Sequence, residues 1–93
     1  MVVGALRLEF HIPASASLKE KRFVVRSLTD RLRRRLNVAV SEVDHHDLWQ
    51  RATLGVVAVS NEAAVVHSIL SHAQDLVERE PRIALLDVDV ELR

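Results

Sequence analysis

The sequence contains no cysteine and no tyrosine, and its 93 residues include only one tryptophan, two phenylalanines, two glycines and two prolines. Because cysteine is absent, the chain has no disulfide bonds, no thiolate ligands for zinc and no thiol nucleophile. No apolar run reaches the roughly 18 residues that a membrane-spanning helix needs, and the first residues lack the pattern of a signal peptide. These absences predict a soluble, cytoplasmic protein that does not enter a membrane.

The length and the hydrophobic content fit one small domain. A chain of 93 residues has the size of a single folding unit. A domain of this size buries only about 60 to 65% of the surface that its unfolded chain exposes. The 48% of hydrophobic residues therefore make a sufficient but thin core. We predict a single domain over residues 1–93, in which most apolar residues serve the fold.

Positive and negative charges are unevenly divided along the chain, although the formal net charge is zero. Residues 1–36 have a balance of +6 and residues 37–93 a balance of −6, and eight of the thirteen basic residues lie between Lys19 and Arg35. A positive field concentrated on one short element is typical of a surface that binds an anionic partner. The alternative is that the excess of arginine over lysine reflects nucleotide composition and that the cations merely solvate a helix.

The first part of the chain predicts a strand followed by a helix. Alternation over Val2–Ile12 indicates a half-buried strand whose core side carries Leu6, Leu8, Phe10 and Ile12. Pro13 ends this strand, and Ser17 with Glu20 has the spacing of a capping box at a helix start. The helix continues to Leu36, and its apolar stripe consists of Leu18, Val24, Val25, Leu28, Leu32 and Leu36.

The rest of the chain predicts two strands, a second helix and a final strand. Val38–Asp44 and Arg51–Val59 are strands joined by a polar loop, with Gly55 marking a bulge or a close backbone approach. Ser60 and Asn61 are expected to cap the second helix. In the final strand the core-facing positions are Leu86, Val88, Val90 and Leu92.

The order of these elements defines the fold class. Right-handed crossovers place both helices on one face of a four-stranded antiparallel sheet. We therefore predict an α+β fold, a ferredoxin-like βαββαβ sandwich. The first and third strands are central in this topology, and the open face of the sheet is expected to carry Arg7, Glu9, His11, Asp87, Asp89 and Glu91.

The basic face of the first helix is the main candidate binding site. Its cations are Lys19, Arg22, Arg26, Arg33 and Arg34. They extend over roughly 20 to 25 Å, which matches phosphates along a nucleic acid, and a guanidinium grips a phosphate with two hydrogen bonds. The alternative is a solvated helix whose last arginines complement the negative end of the helix dipole.

The scarcity of aromatic residues limits the kind of nucleic acid that fits. Single-stranded RNA on a sheet of this topology stacks its bases on aromatic rings. Phe10 lies on the core side of its strand, so the open face of the sheet offers no stacking platform. We therefore expect contact with the backbone of a structured RNA and little base reading.

The loop between the second and third strands contains the polar cluster Asp44-His45-His46-Asp47. Imidazoles and carboxylates are metal ligands, and His11 is a further candidate ligand. Neighbouring side chains in an extended chain point to opposite sides, however, and the polarity of a loop accounts for the cluster. We expect no metal and no cofactor.

Association with other proteins has two candidate surfaces. The first is the hairpin group Asp47, Trp49 and Gln50, in which the tryptophan either anchors a partner or closes a small core. The second is the open face of the sheet or the edge of the final strand, which could pair with a second copy in a homodimer.

No arrangement of residues predicts an enzyme. Serine and histidine occur without a nucleophile motif, and Gly4 and Gly55 alone cannot form a phosphate-binding loop. Asp87 and Asp89 share a strand face about 6 to 7 Å apart, a separation compatible with glycoside hydrolysis. A solvated strand face is the more common origin of such a pair, so no catalytic residue is assigned.

Three stretches of the chain together resemble the YlxP-like family of small uncharacterised bacterial proteins. They are Ser17-Leu18-Lys19-Glu20-Lys21-Arg22, Val43-Asp44-His45-His46-Asp47-Leu48-Trp49-Gln50-Arg51 and Val59-Ser60-Asn61. The resemblance covers essentially the whole chain. It implies a ferredoxin-like fold and genes commonly found beside those for translation initiation and ribosome maturation factors. No reaction comes with it.

The resemblance supports the basic face of the first helix and the hairpin group, and it adds Lys21 to the first. Lys19, Lys21 and Arg22 match the family's basic motif, and the hairpin group matches its hairpin motif. Lys21 lies at the border of the apolar stripe, from which its stem can carry the ammonium group toward the Asp44–Asp47 loop. The expected nucleic-acid-binding residues are thus Lys19, Lys21, Arg22, Arg26, Arg33 and Arg34.

The expected function is that of a non-enzymatic accessory protein which binds structured, ribosomal RNA through its basic helix, in translation or ribosome maturation. The alternative is a homo-oligomeric interaction or regulatory module that binds a protein or a small ligand at the sheet face or the hairpin, without nucleic acid.

Overall fold

The computed structural model describes all of residues 1–93. Six elements follow one another along the chain: β1 (Val2–His11), α1 (Leu18–Arg35), β2 (Ala39–Asp44), β3 (Arg51–Ser60), α2 (Ala63–Glu78) and β4 (Ala84–Leu92). Their order is the predicted one, and most boundaries lie within one or two residues of those expected from the hydrophobic periodicity. Neither helix is long and apolar enough to cross a bilayer.

The four strands form one antiparallel sheet in the order β2-β3-β1-β4. β1 and β3 are central, and both helices pack on the same face, where the buried side chains of alternate strand positions form the core. The predicted ferredoxin-like α+β fold is confirmed. On the other face, Arg7 lies opposite Asp89 and Glu9 lies opposite Asp87 on β4, as the strand alternation predicted.

The start of α1 confirms the capping box in part. The hydroxyl of Ser17, whose backbone is extended, accepts a hydrogen bond of 3.1 Å from the backbone N–H of Glu20. The Glu20 carboxylate reaches back to the backbone N–H of Ala16, one residue before the expected Ser17. Both groups satisfy donors that a helix start leaves free, which fixes where α1 begins and which face it turns to the sheet.

Two details of the second half differ from the sequence prediction. The N-cap of α2 is Glu62, which has no capping side-chain bond, so Ser60 and Asn61 do not cap the helix. Instead the Ser60 hydroxyl accepts a 3.3 Å hydrogen bond from the Glu62 N–H. In β4 a bulge changes the pairing with β1, so that Leu85 lies opposite Phe10 and faces the core. Leu86, expected inside, is exposed, and so are Val90 and Leu92.

The turn before β4 is fastened to α1 by a buried carboxylate. Glu80 is only 4% exposed. It accepts hydrogen bonds from Nε and Nη2 of Arg82, both at 2.8 Å, and from the guanidinium of Arg31 on α1. Arg82 also donates to the Ser27 hydroxyl of α1 at 3.1 Å. These bonds set the position of α1 relative to the α2–β4 turn.

Candidate nucleic-acid interface and hairpin site

The outer face of α1 carries exposed cations along its whole length. Lys19, Arg22, Arg26, Arg33 and Arg34 are all exposed. None of them takes part in any of the six ion pairs of the protein. Because their charges are not neutralised by the protein's own carboxylates, they remain available to an anionic partner.

Three of these arginines line one groove. A cavity of about 400 Å³ runs between α1 and β2, and Arg22, Arg26 and Arg33 contribute to its walls together with Asp30, Ser41 and Glu42. The guanidinium of Arg33 donates a 2.7 Å hydrogen bond to the Val40 carbonyl, which fixes its position over β2. We call this surface the α1–β2 groove. It is open, and its helix side carries three arginines and one carboxylate, that of Asp30.

Lys21 does not belong to this surface, which corrects the expectation that it contacts nucleic acid. Its side chain is fully buried. The ammonium group lies 2.9 Å from the Glu42 Oε2 atom and donates hydrogen bonds to the carbonyls of His45 and His46. The course of the side chain toward the loop agrees with its place beside the apolar stripe. A paired, solvent-free ammonium cannot meet a phosphate, so Lys21 is structural.

The β2–β3 loop is folded around this buried lysine. His45 has a φ of 62°, a left-handed conformation that few non-glycine residues adopt. Its N–H donates to the Asp44 Oδ1 atom at 2.8 Å, and its Nδ1 atom lies 2.8 Å from the Thr53 hydroxyl. The backbone hydrogen bond from His45, helped by the nearby His45 charge, lowers the pKa of Asp44. The loop therefore has a defined conformation.

Gln50 ties the far side of the loop to the end of β1. Its side-chain Nε2 group donates to the carbonyls of Pro13 at 3.3 Å and Ser15 at 3.2 Å. Its backbone carbonyl accepts a hydrogen bond from the Ile12 N–H at 2.8 Å. The side-chain nitrogen is thus committed to the fold. Of the amide, only the Oε1 atom is left for the partner contact that the sequence predicts.

Trp49 projects from this loop into solvent. Its side chain is 55% exposed, and the adjacent Leu48 is also exposed. The interpretation that the tryptophan closes a small core is therefore wrong. A cavity of about 440 Å³ lies beside it, and its lining residues are His11, Asp47, Leu48, Trp49, Gln50 and Arg51. We call this the Trp49 pocket. All three residues of the hairpin group, Asp47, Trp49 and Gln50, line it.

The two histidines of the loop are directed to the protein itself. His45 faces Thr53, and the Nε2 atom of His46 lies 3.1 Å from the Glu42 carbonyl. No group of three or more histidine, aspartate or glutamate side chains is arranged to hold a metal ion. His11 lies on the other side of the loop, in the Trp49 pocket.

The open face of the sheet combines apolar and acidic side chains. Val43, Val57 and Val59 are exposed there, and Val43 folds over Gly55, where an added Cβ atom would lie 3.0 Å from its Cγ1 atom. Gly55 thus marks the close approach expected from the sequence. The bulge lies on β2, between Glu42 and Asp44. Asp87, Asp89 and Glu91 add a row of carboxylates along β4.

Sequence reasoning missed the contacts of Phe23 and Arg31. Phe23 is 70% exposed, and the guanidinium of Arg82 lies 5.9 Å from its ring centroid. This is within the range of a cation–π contact. Arg31 is tied to Glu80, which separates it from the free cations of α1. No periodicity identifies either contact, because both depend on where the α2–β4 turn crosses the helix.

The structure thus defines a ferredoxin-like α+β protein with a cationic groove on its helix layer and an exposed tryptophan on a rigid hairpin loop. The chain belongs to the family described as "Protein of unknown function (DUF503)", whose model matches residues 3–90. It is also similar to the "Uncharacterized protein YlxP" of Bacillus subtilis (strain 168). The two are 32% identical over 82 residues, which cover 88% of this chain and 89% of that protein. The resemblance seen in the three sequence stretches is confirmed.

Proposed function

We propose that this protein is a non-enzymatic, cytoplasmic accessory protein that binds structured RNA, and ribosomal RNA in particular, through the α1–β2 groove. The observation that carries the proposal is the set of exposed arginines in this groove, Arg22, Arg26 and Arg33, which no carboxylate of the protein pairs. Lys19 and Arg34 extend the same cationic face toward the two ends of α1.

Contact with phosphates accounts for the composition of this surface. A guanidinium binds a phosphate with two hydrogen bonds, and the release of counterions from the nucleic acid supplies most of the binding free energy. The groove has a volume of about 400 Å³ and presents its arginines on one side only. Such a surface tracks one backbone and recognises shape more than sequence.

The composition of the open face of the sheet favours structured RNA as the ligand over single-stranded RNA whose bases would lie on the β-strands. Neither phenylalanine lies on that face, because Phe10 is buried in the core and Phe23 is on α1, and Trp49 lies in the β2–β3 loop and not on a strand. The carboxylates of Asp87, Asp89 and Glu91 would also repel phosphates there. RNA is therefore expected on the helix layer. A role in translation or ribosome maturation follows from the gene neighbourhood that the family resemblance implies.

A salt titration tests the proposal. Binding to a structured ribosomal RNA fragment is measured by fluorescence anisotropy from about 50 to 300 mM KCl. If about five phosphates are engaged, the logarithm of the association constant should fall against the logarithm of salt concentration with a slope of about −3.5 to −4.5. A flat response, or no binding at the lowest salt, would refute it.

The exposed valines of the sheet favour one alternative function, a homo-oligomeric interaction module that works without nucleic acid. Val43, Val57 and Val59 form an apolar surface that a second copy could cover. Multi-angle light scattering between about 1 and 100 μM distinguishes the two. A concentration-independent monomer that binds RNA supports the first function, and a tight dimer that ignores RNA supports the alternative.

A further inference from the structure

The Trp49 pocket has features that the α1–β2 groove does not account for. An indole that is 55% exposed lies beside a cavity of about 440 Å³ on a loop with a defined conformation. This volume is within the range of pockets that take small organic ligands. The protein has no other tryptophan and no tyrosine. Its one indole faces solvent and not the core.

The loop that carries the indole is rigid for reasons visible in its contacts. The buried Lys21 ammonium holds the carbonyls of His45 and His46, and the Gln50 Nε2 group is bonded to the end of β1. An aromatic ring on such a loop loses little conformational entropy when a ligand covers it. The exposure of Trp49 is therefore a fixed property of the site.

The lining of the pocket indicates the chemistry of its ligand. Trp49 offers a flat π surface, the Asp47 carboxylate accepts hydrogen bonds, and the guanidinium of Arg51 has further N–H donors beside the Nη2 group that is bonded to Glu9 at 2.7 Å. Aspartate is depleted at the centre of protein–protein interfaces, where tryptophan and arginine are enriched. A nucleobase, in contrast, combines a flat stacking face with an edge of mixed donors and acceptors, which this pocket complements.

We infer that the Trp49 pocket binds one unpaired nucleobase of an RNA whose backbone lies in the α1–β2 groove, with the base stacked on the indole. This inference rests on the proposed function. The two sites are linked through the fold, since the buried Lys21 ammonium group holds the loop that carries Trp49 while the next residue, Arg22, lines the groove. An RNA with a bulged or looped base beside a helical segment presents both an unpaired base and a regular backbone, the two features that these sites would bind.

The single tryptophan gives this inference a direct spectroscopic test. With excitation at 295 nm, the emission of the protein comes from Trp49 alone. Titration with AMP, with CMP and with a hairpin RNA containing one bulged adenine should quench this emission to saturation. As a matched control, the double variant Trp49→Phe, Leu86→Trp moves the indole to an exposed position on β4 and should not be quenched.

Affinity measurements on a bulged and a fully paired hairpin complete the test. Trp49→Ala should weaken binding of the bulged RNA by about 5- to 150-fold, the range measured for losing one stacked base, and leave the paired RNA unaffected. Trp49→Phe keeps a ring and should remain within about threefold of the original protein. Circular dichroism melting verifies that both variants are folded.

The outcomes separate this inference from the proposed function. If both hairpins bind with a steep salt dependence but Trp49→Ala binds them like the original protein, the α1–β2 groove binds RNA and the nucleobase pocket is refuted. If no hairpin binds at low salt, the proposed function fails. The inference is also refuted if no nucleotide or RNA quenches the Trp49 emission and a protein partner covers the pocket instead.

Discussion

The ammonium group of Lys21 lies 2.9 Å from the Glu42 carboxylate and is completely shielded from solvent. A lysine of the basic helix thus connects α1 to β2 and to the β2–β3 loop inside the protein. A buried ion pair adds little net stability, because the desolvation of two charges offsets their attraction. Its contribution here is conformational, since the same ammonium group also holds two carbonyls of the loop.

Replacement of Lys21 by methionine tests this role. The Lys21→Met variant leaves the half-buried Glu42 without its partner and should lower the free energy of unfolding by about 3 kcal/mol. Urea denaturation followed by circular dichroism measures the change. The double variant Lys21→Met, Glu42→Leu removes both charges and should recover a large part of the loss. A single variant as stable as the original protein would show that the pair is not coupled to the fold.

Glu80 should make the stability of the protein sensitive to acid. Hydrogen bonds from Arg82, together with Arg31, lower the pKa of Glu80 from 4.5 to about 2. The carboxylate is charged in the folded state over a range where the unfolded chain is protonated. Its stabilisation, about 3 kcal/mol, is therefore complete above pH 4.5 and is lost as the pH falls toward 2.

The measurement for Glu80 compares Glu80→Gln with the original protein between pH 2 and pH 7. The difference in unfolding free energy should be largest near neutral pH and shrink below about pH 4. Glu78→Gln removes the same charge at an exposed position of α2 and should change stability by less than about 0.5 kcal/mol. A difference for Glu80→Gln that is independent of pH would contradict the proposed origin of its low pKa.

Charge reversal in the α1–β2 groove should abolish RNA binding without unfolding the protein. Arg22 and Arg26 are exposed and unpaired, so Arg22→Glu with Arg26→Glu should change stability by no more than about 0.5 kcal/mol each. Anisotropy titrations should then show no complex at 150 mM salt. The control, Arg79→Glu with Arg93→Glu, makes the same change in net charge away from the groove. Equal losses in both variants would indicate a nonspecific charge effect.

Gly4 and Gly55 should respond differently to alanine. A Cβ atom added at Gly4 would lie 2.8 Å from the Leu70 Cδ1 atom, inside the core between β1 and α2. Overpacking of this kind costs about 1 to 3 kcal/mol. At Gly55 the new atom would meet the exposed Val43 at 3.0 Å and the Ser41 carbonyl oxygen at 3.9 Å, on the open face of the sheet. Thermal melting should therefore show a larger decrease for Gly4→Ala than for Gly55→Ala.

The fold could be predicted because its signals are local and repeated. Alternation in β1 and the three- and four-residue spacing in α1 each occur over enough residues to define a buried face. The helix cap at Ser17 is predicted from a short pattern, and in the structure the Ser17 side chain accepts the expected hydrogen bond from the Glu20 N–H. The bulge in β4 has no such signal, because Leu85 and Leu86 are equally hydrophobic and only the pairing with β1 decides which one faces inward.

The candidate site could be predicted less completely, because the role of a charged residue depends on what lies opposite it. Lys21 and Arg22 are neighbours in the same motif, yet one is buried against Glu42 and the other is exposed. A helical projection places Lys21 at a border but does not reveal its carboxylate partner. Trp49 was recognised as distinctive, but only the packing of the loop shows that its ring faces solvent.

Arg33 has a second consequence for how the protein behaves in solution. β2 pairs with β3 on one side only, and its free side exposes backbone groups that could template the addition of a strand from another molecule. The 2.7 Å hydrogen bond from Arg33 occupies the Val40 carbonyl of this edge strand. One acceptor of this edge strand is thus covered by a side chain of the protein itself, and we expect Arg33→Ala to leave it open to pairing with a strand of another molecule.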